Sequence, residues 1–455
     1  MTTVSQEMAA GVESGHAGHA HDATHSVSPS EIAIGVIIGR TSEFFDFFVY
    51  AIASVLVFPR FFFPFVDAYT GTLYSFAIFP LAFIARPVGS IVFMAIDRRY
   101  GRSAKLAIAL FLLGGSTAAI AFLPGYDTLG KGAIALLALF RLGQGFALGG
   151  SWDGLASLLA LNAPRARRGW FAMVPQLGAP LGLIVASSMF AFFISSLPAE
   201  DFLSWGWRFP FFVAFAINVV ALFARLRLVE SPEFVRLFES RDLQPEPALV
   251  TIREEWRTIL IGALAPLATN ALFHMVTVFP LSWVYLYTPD HERPASFLVI
   301  ETGAAIIGVL AIIISGYMAD RFGRRAVLAG SAAAIAAFSG FAPQMLGMGT
   351  GGEVAFMTIG FAILGISFGQ SSGAVASSFS TQHRYTGSAL TSDIAWLVGA
   401  AFAPLVALQL ATNYGLLASG AYLLSGAAAT LVALWVNREL AGNRSNAMST
   451  MSNAG

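Results

Sequence analysis

Twelve apolar stretches, each close to the length that crosses a bilayer, constrain this chain more than any single motif. They run at about 32–57, 70–94, 105–123, 133–160, 169–196, 207–228, 258–286, 297–319, 326–347, 354–378, 387–411 and 415–436. About 20 apolar residues span the hydrocarbon core as a helix. A helix satisfies its own backbone hydrogen bonds there, so an all-α membrane protein of twelve spans is expected. Only 11% of the 455 residues are charged, against about 25% in soluble domains, and mean hydropathy is +0.70. Formal net charge is +0, which favours neither nucleic acid nor an acidic partner. The chain has no cysteine, so disulfides and thiolate metal sites are excluded.

Basic residues set the expected sidedness. Arg98, Arg99, Arg102 and Lys105 follow the second span, Arg165, Arg167 and Arg168 the fourth, and Arg321, Arg324 and Arg325 the eighth. The alternate loops, Asp127–Lys131, Glu200–Asp201 and Asp290–Arg293, are poorer in Lys and Arg. Both termini are therefore expected in the cytoplasm. The first thirty residues lack a cleavable signal pattern, so the first span is expected to stay and to target the chain.

The longest polar connection, Arg227 to Arg257, holds Pro232, Pro245 and Pro247 and separates six spans from six. The expected division is a tail at 1–31, a six-helix bundle at 32–228, a linker at 229–257, a second bundle at 258–436 and a C-terminal tail at 437–455. Both tails are expected to be cytoplasmic and disordered. The first carries His16, His19, His21 and His25, without the regular acidic or cysteine partners of a metal site. A repeat supports two halves. Asp97-Arg98-Arg99-Tyr100-Gly101-Arg102 follows the second span of one half, and Asp320-Arg321-Phe322-Gly323-Arg324-Arg325 the second span of the other. Two such halves related by an axis along the membrane normal are a transporter plan.

Ionisable residues inside the spans are the candidate site. Arg40, Glu43 and Asp46 recur every third position in the first span, on one flank of a helix. A charge at a span's centre costs roughly 2.5–3.5 kcal/mol on insertion scales, so such groups face partners or a watery path. Glu43 and Asp46 are proton-coupling candidates; the competing reading is a fixed ion pair. Arg86 and Arg141 offer guanidinium forks to an anionic substrate, or neutralise the helix-one acids. Gln144 and Arg40 join them as substrate-binding candidates. His274 is a proton relay or a packed polar residue. Asp393 faces the cavity or latches the inner gate, and Glu301 reaches the interface near the outer end of its span. Phe44, Phe45, Phe47, Phe48, Trp283 and Trp396 line the cavity or face lipid. Gating falls to Asp97, Arg98, Arg102, Asp153, Asp320, Arg321 and Arg324, set against ordinary positive-inside topology. The glycines of Gly143-x-Gly145, Gly149-Gly150 and Gly178-x-x-x-Gly182 serve helix packing.

Six landmarks in order carry a resemblance. They are Glu43-Phe44-Phe45-Asp46-Phe47, Ala85-Arg86-Pro87-Val88-Gly89, Arg141-Leu142-Gly143-Gln144-Gly145-Phe146, Gly206-Trp207-Arg208-Phe209-Pro210-Phe211, Glu230-Ser231-Pro232-Glu233-Phe234 and Arg384-Tyr385-Thr386-Gly387. With the Gly316-x-x-x-Asp320-Arg321-x-Gly323-Arg324-Arg325 turn, the chain resembles the major facilitator superfamily from Ile32 to Val436. More narrowly, it resembles the metabolite:proton symporter family, which includes bacterial carriers of proline/betaine, 2-oxoglutarate, citrate and shikimate. It departs from that family at Arg40 (usually Asn), at Gly149-Gly150-Ser151-Trp152-Asp153 (usually Gly-Gly-Glu), at Ser378-Phe379-Ser380-Thr381, and at Asp97, one place early. The resemblance implies proton symport of a small organic acid or zwitterion by alternating access, in a bacterial inner membrane, by a monomer without cofactor or metal. A uniporter or antiporter of the same fold is the nearest alternative, and a non-transporting metabolite sensor a further one. No nucleophile–base pair or phosphate-binding loop suggests an enzyme.

Overall fold

A computed structural model describes residues 29–151, 164–229, 244–287, 293–371, 379–380 and 382–452. Among them, twelve long helical segments succeed one another. Helix one is Pro29–Leu56, helix two Ala68–Tyr100, helix three Arg102–Phe122, helix four Lys131–Ser151, helix five Arg168–Ser196 and helix six Phe209–Val229. Helix seven is Leu267–Tyr287 with a preceding piece Ala248–Leu264, and helix eight is Arg293–Phe322. Helices nine to twelve are Arg324–Ser339, Gly349–Ser371, Arg384–Tyr414 and Leu416–Ser452. Ten are long and apolar enough to cross a membrane. The other two are helix one, whose apolar run the three charges interrupt, and helix nine, of 16 residues.

The structure differs from expectation at three places. Pro247 starts a helical piece ten residues before the expected seventh span, since proline tolerates a helix start; the piece then kinks at Glu255, with φ −118° and ψ 20°. Helix twelve continues to Ser452, where a disordered tail is expected. Glu301 does not reach an interface with water; it is fully buried. The N-terminal tail to residue 28 and Glu230–Phe234 lie outside the described residues.

Three helices that touch the opposite bundle are broken near a proline, which removes a backbone donor. Helix two breaks at Phe79-Pro80 and helix eleven before Pro404, while helix seven changes course before Pro280. Outside the membrane, Asp67 caps helix two by accepting from Thr70 N at 3.0 Å and Thr70 Oγ1 at 2.6 Å. Those bonds hold its carboxyl below the usual range. Helices two and four touch backbone to backbone: a Cβ at Gly145 would collide with the Ala82 main chain. The two basic turns share one conformation, with φ of 85° at Gly101 and 84° at Gly323, a backbone region that favours glycine.

Candidate functional site

Three clusters bring the intramembrane polar residues together. The first joins helices one, three, four and six. Asp46, 2% exposed, accepts from Thr117 Oγ1, and the Gln144 Nε2 amide approaches it at 3.4 Å and Thr117 Oγ1 at 2.8 Å. Asn218 Nδ2 reaches the same carboxyl at 3.5 Å, and Ser42 Oγ donates to Asn218 Oδ1 at 2.6 Å. Arg141 Nη1 donates to Gln144 Oε1 at 3.0 Å, so Gln144 links the guanidinium to the carboxyl.

Arg141 is itself 1% exposed. Its Nε donates to the Phe79 carbonyl at the break in helix two, at 3.3 Å, and its Cζ stands 3.8 Å from the Tyr50 ring centroid and 4.9 Å from that of Phe79. A cation over aromatic faces keeps some electrostatic compensation away from water. His274 packs among Phe47, Phe79 and Phe83 at 5.3–6.0 Å between ring centroids. Arg141 Nη2, Tyr50 Oη and both His274 ring nitrogens have no hydrogen-bond partner among the described residues. Buried polar groups without partners are rare and mark places where something else supplies the bond.

The second cluster is a clasp. Glu43 pairs with Arg40 at 2.6 Å and with Arg225 of helix six at 2.7 Å, and Arg225 Nη1 also donates to the Ser151 carbonyl at 3.3 Å. Arg40, 23% exposed at its side chain, lines a cavity of about 40 Å³ with Glu43, Phe47, Phe83, Arg86 and Trp396. That volume is enough to admit water.

In the third cluster, Arg86 of helix two pairs with Asp393 of helix eleven at 2.8 Å, and Ser90 Oγ donates to Asp393 at 2.5 Å. Arg86 therefore neutralises an acid of the other bundle; the helix-one acids are not its partners.

The gating candidates separate. Asp320 accepts from the Gly169 and Trp170 amides at 2.6 and 3.2 Å, across the bundle interface. Arg324 donates to Gln370 Oε1 at 3.4 Å and to the Arg168 carbonyl at 3.5 Å. Asp97 turns inward instead, to Lys105 at 3.1 Å and Arg102 at 3.6 Å, and Lys105 Nζ donates to Tyr385 Oη at 2.9 Å. Arg98 donates to the Glu246 carbonyl of the linker at 3.4 Å, and exposed Arg321 covers its neighbour Phe322. Asp153 lies outside the described residues. Sequence reasoning missed Arg225, Asn218, Thr117 and Tyr50. Asn218, a lone amide amid the apolar residues of helix six, is the signal that was available.

Comparison with known proteins agrees with this architecture. Residues 32–259 match the family model described as sugar (and other) transporter. The chain is 38% identical over 426 residues to the inner membrane metabolite transport protein YhjE of Escherichia coli K12, covering 92% of this chain and 97% of that one. It is 30% identical to the shikimate transporter of the same strain, over 84% of this chain and 88% of that one. The proline/betaine transporter, also from that strain, is 30% identical, over 87% and 80%. Among solved structures, the major facilitator superfamily proton:xylose symporter XylE superposes with a TM-score of 0.68, at 17% identity, over 90% of this chain and 94% of that one. With a family model across its first half and curated metabolite carriers aligned along most of its length, the chain belongs to the sugar (and other) transporter family and has the twelve-helix major facilitator fold.

Proposed function

We propose that the protein is a proton-coupled symporter, moving a small organic acid or zwitterionic metabolite across a bacterial inner membrane by alternating access. In this reading it acts as a monomer with both termini in the cytoplasm, where the basic turns would lie. The bundles divide near 32–228 and 258–436. The relatives named as shikimate and proline/betaine transporters support the substrate class.

The observation that carries the reading is the Arg141–Gln144–Asp46 link beside the unpartnered Arg141 Nη2, Tyr50 Oη and His274 nitrogens. Asp46 is the proton site: hydroxyl and amide neighbours hold it, and no cation lies within 4.0 Å of it among the described residues. Glu43, clasped by two guanidinia, is a structural anchor. Protonating Asp46 removes the negative charge nearest Arg141 and leaves the site cationic, which favours a substrate carboxylate on Nη2. Each ligand then raises the affinity for the other, as linkage requires of symport. A neutral His274 imidazole offers one donor and one acceptor to the same substrate. Asp320, Arg324 and the Arg86–Asp393 pair hold the basic-turn side shut.

The test is uptake by proteoliposomes, with and without an inward proton gradient, across a panel of hydroxy acids, oxo acids and betaines. Accumulation above equilibrium of one compound, abolished by a protonophore, is the expected result. Gradient-independent equilibration of the transported compound contradicts the reading.

A further inference from the structure

Helix eight buries a carboxyl that the coupling site does not use. Glu301 is 0% exposed; its Oε2 accepts from Ser187 Oγ at 2.9 Å, and its Oε1 has no hydrogen-bond partner among the described residues. Ser187 belongs to helix five of the first bundle and Glu301 to the second, so this bond crosses the interface that alternating access must open. It does so far from the basic turns: Phe322, where helix eight ends, lies 21 residues further on, about 32 Å along a helix axis.

No lysine, arginine or histidine among the described residues comes within 4.0 Å of Glu301. Helices five, seven, nine and ten pack against helix eight, and the charges of helix nine, Arg324 and Arg325, stand at its basic-turn end. Beside the neutral Ser187 hydroxyl, the ionisable groups they bring to this end are Tyr285, faced by Arg60 at 5.5 Å, Tyr287, hydrogen-bonded to Thr412 Oγ1 at 2.7 Å, and Glu353, which has a partner of its own. A charge on Glu301 would thus have no cation beside it among the described residues, in a place closed to bulk solvent, an arrangement that membrane interiors penalise heavily.

We propose that Glu301 is a second proton-binding site, and that the end of the interface away from the basic turns closes only when this carboxyl carries a proton. Opening that end draws Ser187 away and admits water, to which the acid releases its proton. Closing reverses the step: the carboxylate takes a proton from water on that side, and the neutral acid returns to its place against Ser187. The open form is the deprotonated one, so raising the pH favours it, by up to about tenfold in the open-to-closed ratio per pH unit for one proton. The inference rests on alternating access but not on the role given to Asp46.

The absence of native cysteine allows a direct test. Spin labels on Phe192→Cys and Val299→Cys, both on exposed positions near this contact, report its opening in nanodiscs by pulsed dipolar spectroscopy. In an otherwise unaltered chain, the long-distance population is expected to grow as pH rises. Glu301→Gln, a neutral mimic of the acid, is expected to hold the short distance at every pH, and Asp46→Asn to keep the pH response. A flat response in the labelled chain, a Glu301→Gln variant that titrates like it, or loss of the response in Asp46→Asn overturns the proposal. Ser187→Ala keeps the carboxyl and guards against a misfolded Gln variant. It should move the midpoint of the response, and an unmoved midpoint counts against the site. Distances that ignore both pH and a transported substrate would also defeat alternating access, whereas failed uptake with a titrating distance would defeat only the symport reading.

Discussion

Two carboxyls reach from the second bundle to a serine of the first, and they are balanced differently. Asp393 meets Ser90 and is neutralised by Arg86 at 2.8 Å. Glu301 meets Ser187, with no cation beside it among the described residues. The surroundings follow the same division. Toward the basic turns the interface is stitched by Asp320 to backbone amides and by Lys105 to Tyr385. At the far end, Arg60 lies over the Tyr285 ring. One end is closed by paired opposite charges and by a carboxylate on backbone amides. The other closes around a single acid, so its closure is conditional on a proton.

The comparison can be broken at either end. The largest effect should come from Arg86→Leu, which strands the buried Asp393 charge. Removing one partner of a buried pair costs about 3–5 kcal/mol, read as a lower thermal midpoint. Adding Asp393→Leu should recover most of it, and if the double variant stays as unstable as the single one, the pair is not what holds that end. Asp320→Ala comes next. It leaves the Gly169 and Trp170 amides without their acceptor, and thiol labelling of a cysteine at buried Ala172 should quicken by about five- to thirtyfold, the factor carried by 1–2 kcal/mol. Unchanged labelling would mean that Asp320 does not bar the basic-turn end. Arg60→Gln should have the smallest effect, because an exposed cation–π contact is worth only about 0.5–1 kcal/mol. The label distance at the far end should lengthen in a slightly larger fraction of molecules. A larger change than that of Asp320→Ala would reverse the ranking of the two ends.

Much of this was legible in the residues. Span length and the paired basic turns give the twelve-helix plan, and spacing gives the Arg40–Glu43 pair. The turns mislead in one respect. Asp320 stands three places before its glycine and Asp97 four, and one residue is about 100° around a helix. Asp320 therefore crosses to helix five, whereas Asp97 turns into its own bundle toward Lys105. Partners distant in sequence were not legible: Asp393 meets a serine 303 positions away, and no local pattern selects that match. Glu301 was misread because distance from a helix end says little about rotation around its axis. Arg225, near the end of helix six, carries no local motif, yet it supplies half of the clasp on Glu43.

Coupling rests on Asp46 as the proton site beside Arg141. Its most direct test compares gradient-driven accumulation with substrate exchange in proteoliposomes, for the unaltered chain and for Asp46→Asn. Exchange needs no net proton movement, so the variant is expected to keep exchange and lose accumulation. If Asp46→Asn still accumulates substrate against its gradient in response to protons, Asp46 is not the coupling group and the central claim fails.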